Sequence, residues 1–239
     1  MIQFYSPDIE STLKLPESDS GHCVRVLRHQ IGDVIDVIDG CGNMYKCKII
    51  DAHPKHVGVE IIEKSPIPLP WDYNVTIAVA PTKLMDRMEW MVEKLTEIGV
   101  NSIVLLLCEH SERREIKRER LIKTAVSAMK QSLKSVLPDI SEMTNLSTFI
   151  NQLDDSCDKF VAYCDKDMPR TLLATEIKPK HDTIILIGPE GDFSPSEVKM
   201  LIENGFKAVS LGDCRLRTET AAINSCDTIH IINQINNLI

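Results

Sequence analysis

Two glycine-bearing loops near the end of the chain have the residue types best suited to holding a small molecule. The first, Gly188-Pro189-Glu190-Gly191, follows an apolar strand predicted over 183–187, and the second, 211–217, follows a short strand predicted over 207–210. Parallel strands deliver such loops to one ligand-binding edge of an open α/β sheet. Glycine lets the backbone approach a flat ligand closely, so that amides and carbonyls can read its edge. A tight strand-to-helix turn that binds nothing explains the first loop equally well.

The start of the last predicted helix adds charged side chains to this edge. Thr218 is a candidate N-cap, and Glu219 in the first turn suits the helix dipole. Arg217 gains nothing from that dipole, so we expect it to pair with a carboxylate or a ligand oxygen. The chain contains neither G-x-G-x-x-G nor G-x-x-x-x-G-K-[ST], which disfavours a phosphate-cradling loop.

Composition is that of an ordinary globular protein, with 239 residues, 43% of them apolar and 26% charged. A net charge of −8 argues mildly against nucleic acid as a partner, yet residues 111–134 hold eight basic side chains against three acidic ones. A solvated helix face is the simplest explanation of that segment. The eight cysteines lack metal-ligand spacing, which predicts reduced thiols and no metal. With no signal peptide or membrane-length apolar run, we expect a cytoplasmic protein without membrane contact.

The pattern of the chain changes at a proline-rich linker, 65–70. Before it, strands at 34–38, 44–50 and 56–62 and a short helix at 20–29 predict a small β-rich domain over 1–66. Arg25 and Arg28 share one face of that helix and could meet phosphate, or could be ordinary surface arginines. After the linker, alternating strands and helices predict an α/β domain with a mainly parallel sheet over 71–239. The predicted strands there are 75–80, 102–107, 160–163, 183–187 and 207–210, and the predicted helices are 84–98, 117–137, 194–205 and 218–235.

Four stretches together resemble one known family. They are HCVRVLRHQIGDVIDVIDGCG, KLMDRMEWMVEKLTEIGV followed by CEHSERR, IGPEGDFSPSEV, and LGDCRLRTETA. In this order they resemble the small-subunit ribosomal RNA uridine-N-3 methyltransferases, which are knotted enzymes of the SPOUT class. The resemblance implies a PUA-like, RNA-binding β-barrel over 1–66 and a SPOUT-type α/β domain with a C-terminal trefoil knot over 71–239. It also implies a homodimer, S-adenosylmethionine (SAM) as cofactor, and ribosomal RNA or the small ribosomal subunit as partner.

The matching motifs indicate which residues of this chain correspond to the family's site residues. The implied cofactor-binding residues are Ile187, Gly188, Pro189, Glu190, Gly191, Leu211, Gly212, Leu216, Arg217 and Thr220, with the strand end near Cys164 as a third contributor. The implied RNA contacts are Arg25, Arg28, Arg113, Arg114 and Lys117. Three positions depart from the family pattern: Asp192 replaces a second glycine, Cys214 and Arg215 follow Asp213 where an arginine is usual, and residues 130–134 read Lys-Gln-Ser-Leu-Lys where the family has E-Q-S-x-R, which keeps positive charge there. Asp tolerates left-handed backbone, so the first loop can keep its shape.

A mechanism follows as a hypothesis from the implied reaction. The N-3 position of uracil must lose a proton before it attacks a methyl group, and negative charge then spreads onto the flanking carbonyl oxygens. Arg217 would stabilise that charge or orient the base. Glu219, or less favourably Glu190, would accept the proton, although either glutamate can equally be structural. Methylation of a ribose 2′-hydroxyl or of guanine, a non-catalytic RNA-binding protein, and a nucleotide-binding protein unrelated to RNA are the competing interpretations.

Overall fold

The computed structural model of the chain describes residues 2–153, 156–164 and 169–236, which form two compact units. The first unit comprises Met1–Trp71 and Val126–Leu137, and the second comprises Asp72–Ala125 and Pro138–Ile239. The division into domains at 1–66 and 71–239 stays a prediction. The structure differs from it by grouping the segment 126–137 with the first unit. Hydrogen bonds explain this grouping, because Ser135 Oγ donates to Ile67 O at 2.7 Å and the Gly42 amide donates to Ser135 O at 3.0 Å.

The first unit is built on a four-stranded sheet in the order β1-β2-β3-β4. Its strands are β1 (Gln3–Tyr5), β2 (Val34–Ile38), β3 (Asn43–His53) and β4 (His56–Pro66), with β1 parallel to β2 and the other pairs antiparallel. Alternate side chains of these strands, such as Val37, Cys47 and Ile49, are fully buried in one core. The predicted hairpin and third strand are therefore confirmed.

The helix predicted over 20–29 is wrong in its extent. Helix α1 (Ile9–Thr12) precedes this region, helix α2 (Glu17–Gly21) ends within it, and a π-helical turn, His22–Val26, follows α2 directly. Arg28 has a left-handed backbone with φ of 60°, which ends any helical path at that point.

The β2–β3 turn is held by the buried carboxylate of Asp39. Its oxygens accept hydrogen bonds from the Cys41 amide at 2.7 Å, from the Asn43 side chain at 2.6 Å and from the Tyr45 hydroxyl at 3.2 Å. Burial raises the pKa of Asp39, but these hydrogen bonds outweigh burial and hold its pKa below the ordinary value. The turn therefore depends on Asp39 remaining ionised.

The second unit is built on an eight-stranded, wholly parallel sheet in the order β10-β12-β9-β11-β5-β6-β7, with β8 also beside β6. The strands are β5 (Val75–Val79), β6 (Ser102–Leu107), β7 (Asp139–Ile140), β8 (Thr144–Asn145), β9 (Asp158–Ala162), β10 (Thr171–Leu172), β11 (Thr183–Ile187) and β12 (Lys207–Ser210). The central strand β11 is buried along its whole length, as expected where both faces of a parallel sheet are covered. The predicted parallel α/β fold is confirmed, whereas the trefoil knot stays a prediction.

Within the described ranges, five helices connect these strands and a sixth follows the last strand. They are α3 (Met85–Ile98), α4 (Arg118–Gln131), α5 (Leu146–Ile150), α6 (Leu173–Glu176), α7 (Pro195–Glu203) and α8 (Thr218–Asn236). The helix predicted over 117–137 ends at Gln131, because Leu133 is left-handed with φ of 56°. Across the residues that the structure describes, no helix is long and apolar enough to span a membrane, and no three metal-ligating side chains gather.

Candidate active site

The loops that follow β9, β11 and β12 enclose one large cavity of about 890 Å³. Its lining comprises residues 162–164, 187–193 and 209–219, together with Arg87, Arg170 and Ala221. Pockets that bind small molecules usually measure about 300–1,000 Å³. The predicted convergence of the two glycine-bearing loops at one sheet edge is thus confirmed.

A buried hydrogen bond joins these two loops directly. Thr218, the first residue of α8, donates from Oγ1 to the carbonyl oxygen of Gly188 at 3.1 Å. The predicted role of Thr218 as the helix cap is therefore wrong, because its hydroxyl is used in this tertiary contact. The Ala221 amide donates instead to Arg217 O at 2.8 Å, so the first helical hydrogen bond starts from Arg217.

The first loop keeps its shape through Asp192. This residue has a left-handed backbone with φ of 63°, so an aspartate does occupy the conformation expected where the resembled family has glycine. Its carboxylate accepts hydrogen bonds from the Phe193 amide at 2.8 Å and from the Cys164 amide at 3.2 Å. A Cβ atom at Gly188 would lie 3.1 Å from the Phe193 ring, so a larger residue there would require that ring to shift slightly. Asp192 thereby ties the end of β9 to the loop after β11.

The helix after this loop begins as predicted. Ser194 and Glu197 form a capping box, with the Ser194 amide donating to Glu197 Oε2 at 2.8 Å and the Glu197 amide donating to Ser194 Oγ at 3.3 Å. Glu197 Oε1 also accepts from the Glu109 amide at 2.8 Å. These contacts fix where α7 starts and so where the first loop must end.

Glu219 is the most unusual polar group of the cavity. Its side chain is only 7% exposed, and its Oε1 lies 3.6 Å from Nε of Arg87. Its other oxygen, Oε2, is buried and has no hydrogen-bond partner among the described residues. Nearly all buried polar atoms in proteins are hydrogen-bonded, so the unpaired oxygen of this cavity-lining residue is a candidate acceptor for a hydrogen bond from a ligand.

The structure places nine of the ten predicted cofactor-binding residues in the cavity wall. They are Ile187, Gly188, Pro189, Glu190, Gly191, Leu211, Gly212, Leu216 and Arg217. The tenth, Thr220, is exposed on α8 and does not line the cavity. Glu190, the alternative proton acceptor, is exposed, and its Oε1 accepts from the Lys83 amide at 3.2 Å. Cys164, the predicted third contributor, does line the cavity.

The predicted RNA contacts fall into two groups. Arg25, Arg28, Arg114 and Lys117 are exposed. Arg113 differs, because its Nε donates to Thr82 O at 2.9 Å and its two terminal nitrogens donate to the carbonyls of Lys83 and Glu115. Its guanidinium therefore holds the turn before α3, and the RNA contact expected of Arg113 stays a prediction.

Three arginines of the cavity wall were not among the predicted site residues: Arg87, Arg170 and Arg215. Arg170 donates to the Tyr163 carbonyl at 2.7 Å and so supports the loop after β9. Arg87 lies in the first turn of α3, the helix that follows β5. Because β5 pairs with β11 in parallel, the same sheet-edge argument that selected the two glycine-bearing loops would have pointed to Arg87.

Comparison with known proteins identifies matches along most of the chain. A family model described as an RNA methyltransferase domain matches residues 69–230, and one described as an RNA methyltransferase PUA domain matches residues 15–62. Among curated proteins, the ribosomal RNA small subunit methyltransferase E of Aquifex aeolicus is 28% identical, over 94% of this chain and 96% of its own length.

Two solved structures extend these matches to the fold. A crystal structure of a probable rRNA-methyltransferase from Porphyromonas gingivalis is 44% identical, with a TM-score of 0.95 over 99% of this chain and 100% of its own. A methyltransferase from Legionella pneumophila, in complex with bound SAM, is 25% identical, with a TM-score of 0.82 over 97% of each chain.

Proposed function

Because this chain belongs to the RNA methyltransferase family, we propose that it transfers a methyl group from SAM to N-3 of a uridine in small-subunit ribosomal RNA. The observation that carries the proposal is the meeting of the two loops in one cavity with an unpaired carboxylate oxygen of Glu219 in its wall. The similarity to a ribosomal RNA small subunit methyltransferase over nearly the whole chain supports the RNA as substrate.

The cavity suits SAM in size and in the chemistry of its wall. Apolar side chains of Ile187, Leu211 and Leu216 stand beside backbone of 188–191 and Gly212, a combination that can sandwich a flat base and read its edge. The Legionella pneumophila relative, 25% identical, has SAM bound. SAM supplies an electrophilic methyl group on a positively charged sulfur.

In the proposed reaction, the chain's own residues position the uracil and remove its proton. A new bond forms between N-3 and the methyl carbon while the carbon–sulfur bond breaks, and holding the reactants in line can supply about 7–11 kcal/mol. The imide proton passes to Glu219 Oε2, the unpaired oxygen. Arg217 lines the cavity and is exposed, so it can donate to the carbonyl oxygen on which negative charge develops. Glu190 is the weaker candidate, since one of its oxygens already accepts from the Lys83 amide.

Exposed cations would position the RNA, and the target uridine would have to leave its stack to enter the cavity. These cations are Arg25, Arg28, Arg114 and Lys117. We also propose that the chain works as a homodimer. Large apolar side chains are exposed on the paired helices α3 and α8, with Trp90 at 46%, Ile231 at 44% and Ile235 at 47%, and such surfaces commonly mark interfaces. Light scattering of the purified protein measures the oligomeric state, and a monomer would contradict this part.

The test of the proposed function is in-vitro methylation of small ribosomal subunits and of naked ribosomal RNA, with the product nucleoside identified by mass spectrometry. We expect a uridine methylated at N-3. A 2′-O-methylated ribose or a methylated guanine would overturn the assignment of the target atom. Failure to bind SAM in calorimetry would instead favour a non-catalytic RNA-binding protein.

Arg217→Ala separates the proposed chemistry from binding. We expect this variant to lose turnover by about 100-fold or more, as removal of a donor to developing negative charge does in other enzymes, while the protein stays folded. Near-normal turnover would remove Arg217 from the mechanism.

A further inference from the structure

We infer that Arg87 is a positioning residue for methyl transfer, which holds the carboxylate of Glu219 in place at the cavity wall. This inference rests on the proposed function of the site. Arg87 lies on α3, far in sequence from the two glycine-bearing loops, and lines the same cavity as they do.

Arg87 and Glu219 are close enough for electrostatic attraction but too far apart for a hydrogen bond. Arg87 Nε lies 3.6 Å from Glu219 Oε1, beyond ordinary hydrogen-bond length. The glutamate side chain is 7% exposed and the arginine side chain 34% exposed, so the carboxylate is inside the wall while the guanidinium reaches solvent. A buried carboxylate is costly without a nearby positive charge, and the position of that charge restricts how the carboxylate can lie. Here Oε1 faces Arg87, which leaves Oε2 without a partner among the residues described.

Arg87 itself is placed by contacts at the start of α3. Arg113 donates to the Thr82 carbonyl at 2.9 Å, and the Thr82 hydroxyl donates to Leu84 O at 3.2 Å. The Lys83 amide donates to Glu190 Oε1 at 3.2 Å, which links this turn to the first glycine-bearing loop. The first turn of α3 is therefore held against the cavity before any ligand binds. A functional group supported by such outer contacts loses little freedom when the substrate enters.

An ion pair that only stabilises the fold could have the same distance, but removing its arginine would have a different effect on the rate of methyl transfer. If Arg87 acts through Glu219, its loss should lower the rate of methyl transfer while SAM binding is kept. Misplacement of a catalytic group by about 1 Å can cost about 100-fold. For Arg87→Gln we therefore expect kcat to fall about 10- to 100-fold, with KM for RNA and the calorimetric Kd for SAM within about threefold of wild type.

Two further variants make the test specific. Arg87→Lys keeps the charge and should recover at least part of the lost rate. The double variant Arg87→Gln/Glu219→Gln should be no slower than Glu219→Gln alone, because residues that act as a unit are not additive. Lys94→Gln is the matched control. Lys94 lies on the same helix, is 33% exposed, and pairs with Glu93 and Glu97 but does not line the cavity, so its kcat should be unchanged.

The possible outcomes separate this inference from the proposed function. A wild-type protein that methylates another atom, or none, contradicts the proposed function. If the wild type is active, unchanged kcat in Arg87→Gln overturns the inference, and so do multiplicative losses in the double variant. A large loss of SAM binding in Arg87→Gln, or a lower urea midpoint that Arg87→Lys does not restore, would assign Arg87 to ligand binding or to the fold. Non-additive kcat with intact SAM binding supports the positioning role.

Discussion

Replacing Thr218 by valine removes a hydroxyl that ties the start of α8 to the first glycine-bearing loop. Thr218 Oγ1 donates to Gly188 O at 3.1 Å, and Thr218 is 8% exposed. Valine has nearly the same shape, so the substitution leaves the Gly188 carbonyl without this donor and opens no large cavity. An acceptor left unsatisfied in a buried position costs about 1–3 kcal/mol.

The hydrogen bond between Thr218 and Gly188 joins two neutral groups at the cavity wall, and both features limit how much stability its loss can cost. We expect the free energy of unfolding of Thr218→Val to fall by about 1–2 kcal/mol, measured by urea denaturation. If the loops of the variant become ordered only when SAM binds, the cost of ordering them reduces the free energy of SAM binding. A loss of about 1 kcal/mol corresponds to a roughly fivefold higher Kd for SAM, which isothermal calorimetry resolves.

Two companion variants show whether the hydroxyl is responsible. Thr218→Ser keeps the donor and should restore most of both quantities. Thr228→Val makes the same chemical change on α8, at a half-buried position outside the cavity wall, and should leave the Kd for SAM unchanged. Our account of how the loops are joined would be refuted if Thr218→Val and Thr228→Val matched in SAM affinity and in stability.

Three other perturbations test separate parts of the structure. Arg113→Ala should clearly lower the urea midpoint of unfolding, because three carbonyls lose a charged donor. Arg114→Ala should leave stability unchanged and weaken RNA binding in a filter assay. Two variants with equal stability and equal losses of RNA binding would contradict this. Thr220→Val should bind SAM as wild type does, since Thr220 lies outside the cavity wall; a Kd raised by more than about threefold would support the sequence-based assignment instead. The pKa of Asp39 is lowered in the fold, so its stabilising contribution is present above its unfolded pKa and is lost as pH falls through the folded value. The difference in unfolding free energy between wild type and Asp39→Asn should therefore become smaller below about pH 4. A difference that stays constant from about pH 7 to about pH 3 would contradict this.

Local features of the sequence were enough to predict most elements of the second unit. Runs such as 102–107 and 183–187 form strands of a parallel sheet that is covered on both faces, and all of their residues after the first are apolar. The capping box of Ser194 and Glu197 lies within four residues, so it too could be read from the sequence. The end of α4 could not, because its last predicted turns are interrupted by a left-handed Leu133, a residue type that carries no such signal.

By itself, the sequence determined the parallel α/β fold and the two loops that bound the cavity, because burial and turn formation act on neighbouring residues. Only the tertiary structure decided how side chains far apart in the chain are used. It directs the Thr218 hydroxyl to Gly188, turns Arg113 inward to carbonyls, and sets Arg87 beside Glu219. A hydrogen bond or ion pair depends on distances of a few ångströms between elements, and those distances exist only after the sheet and its helices have packed.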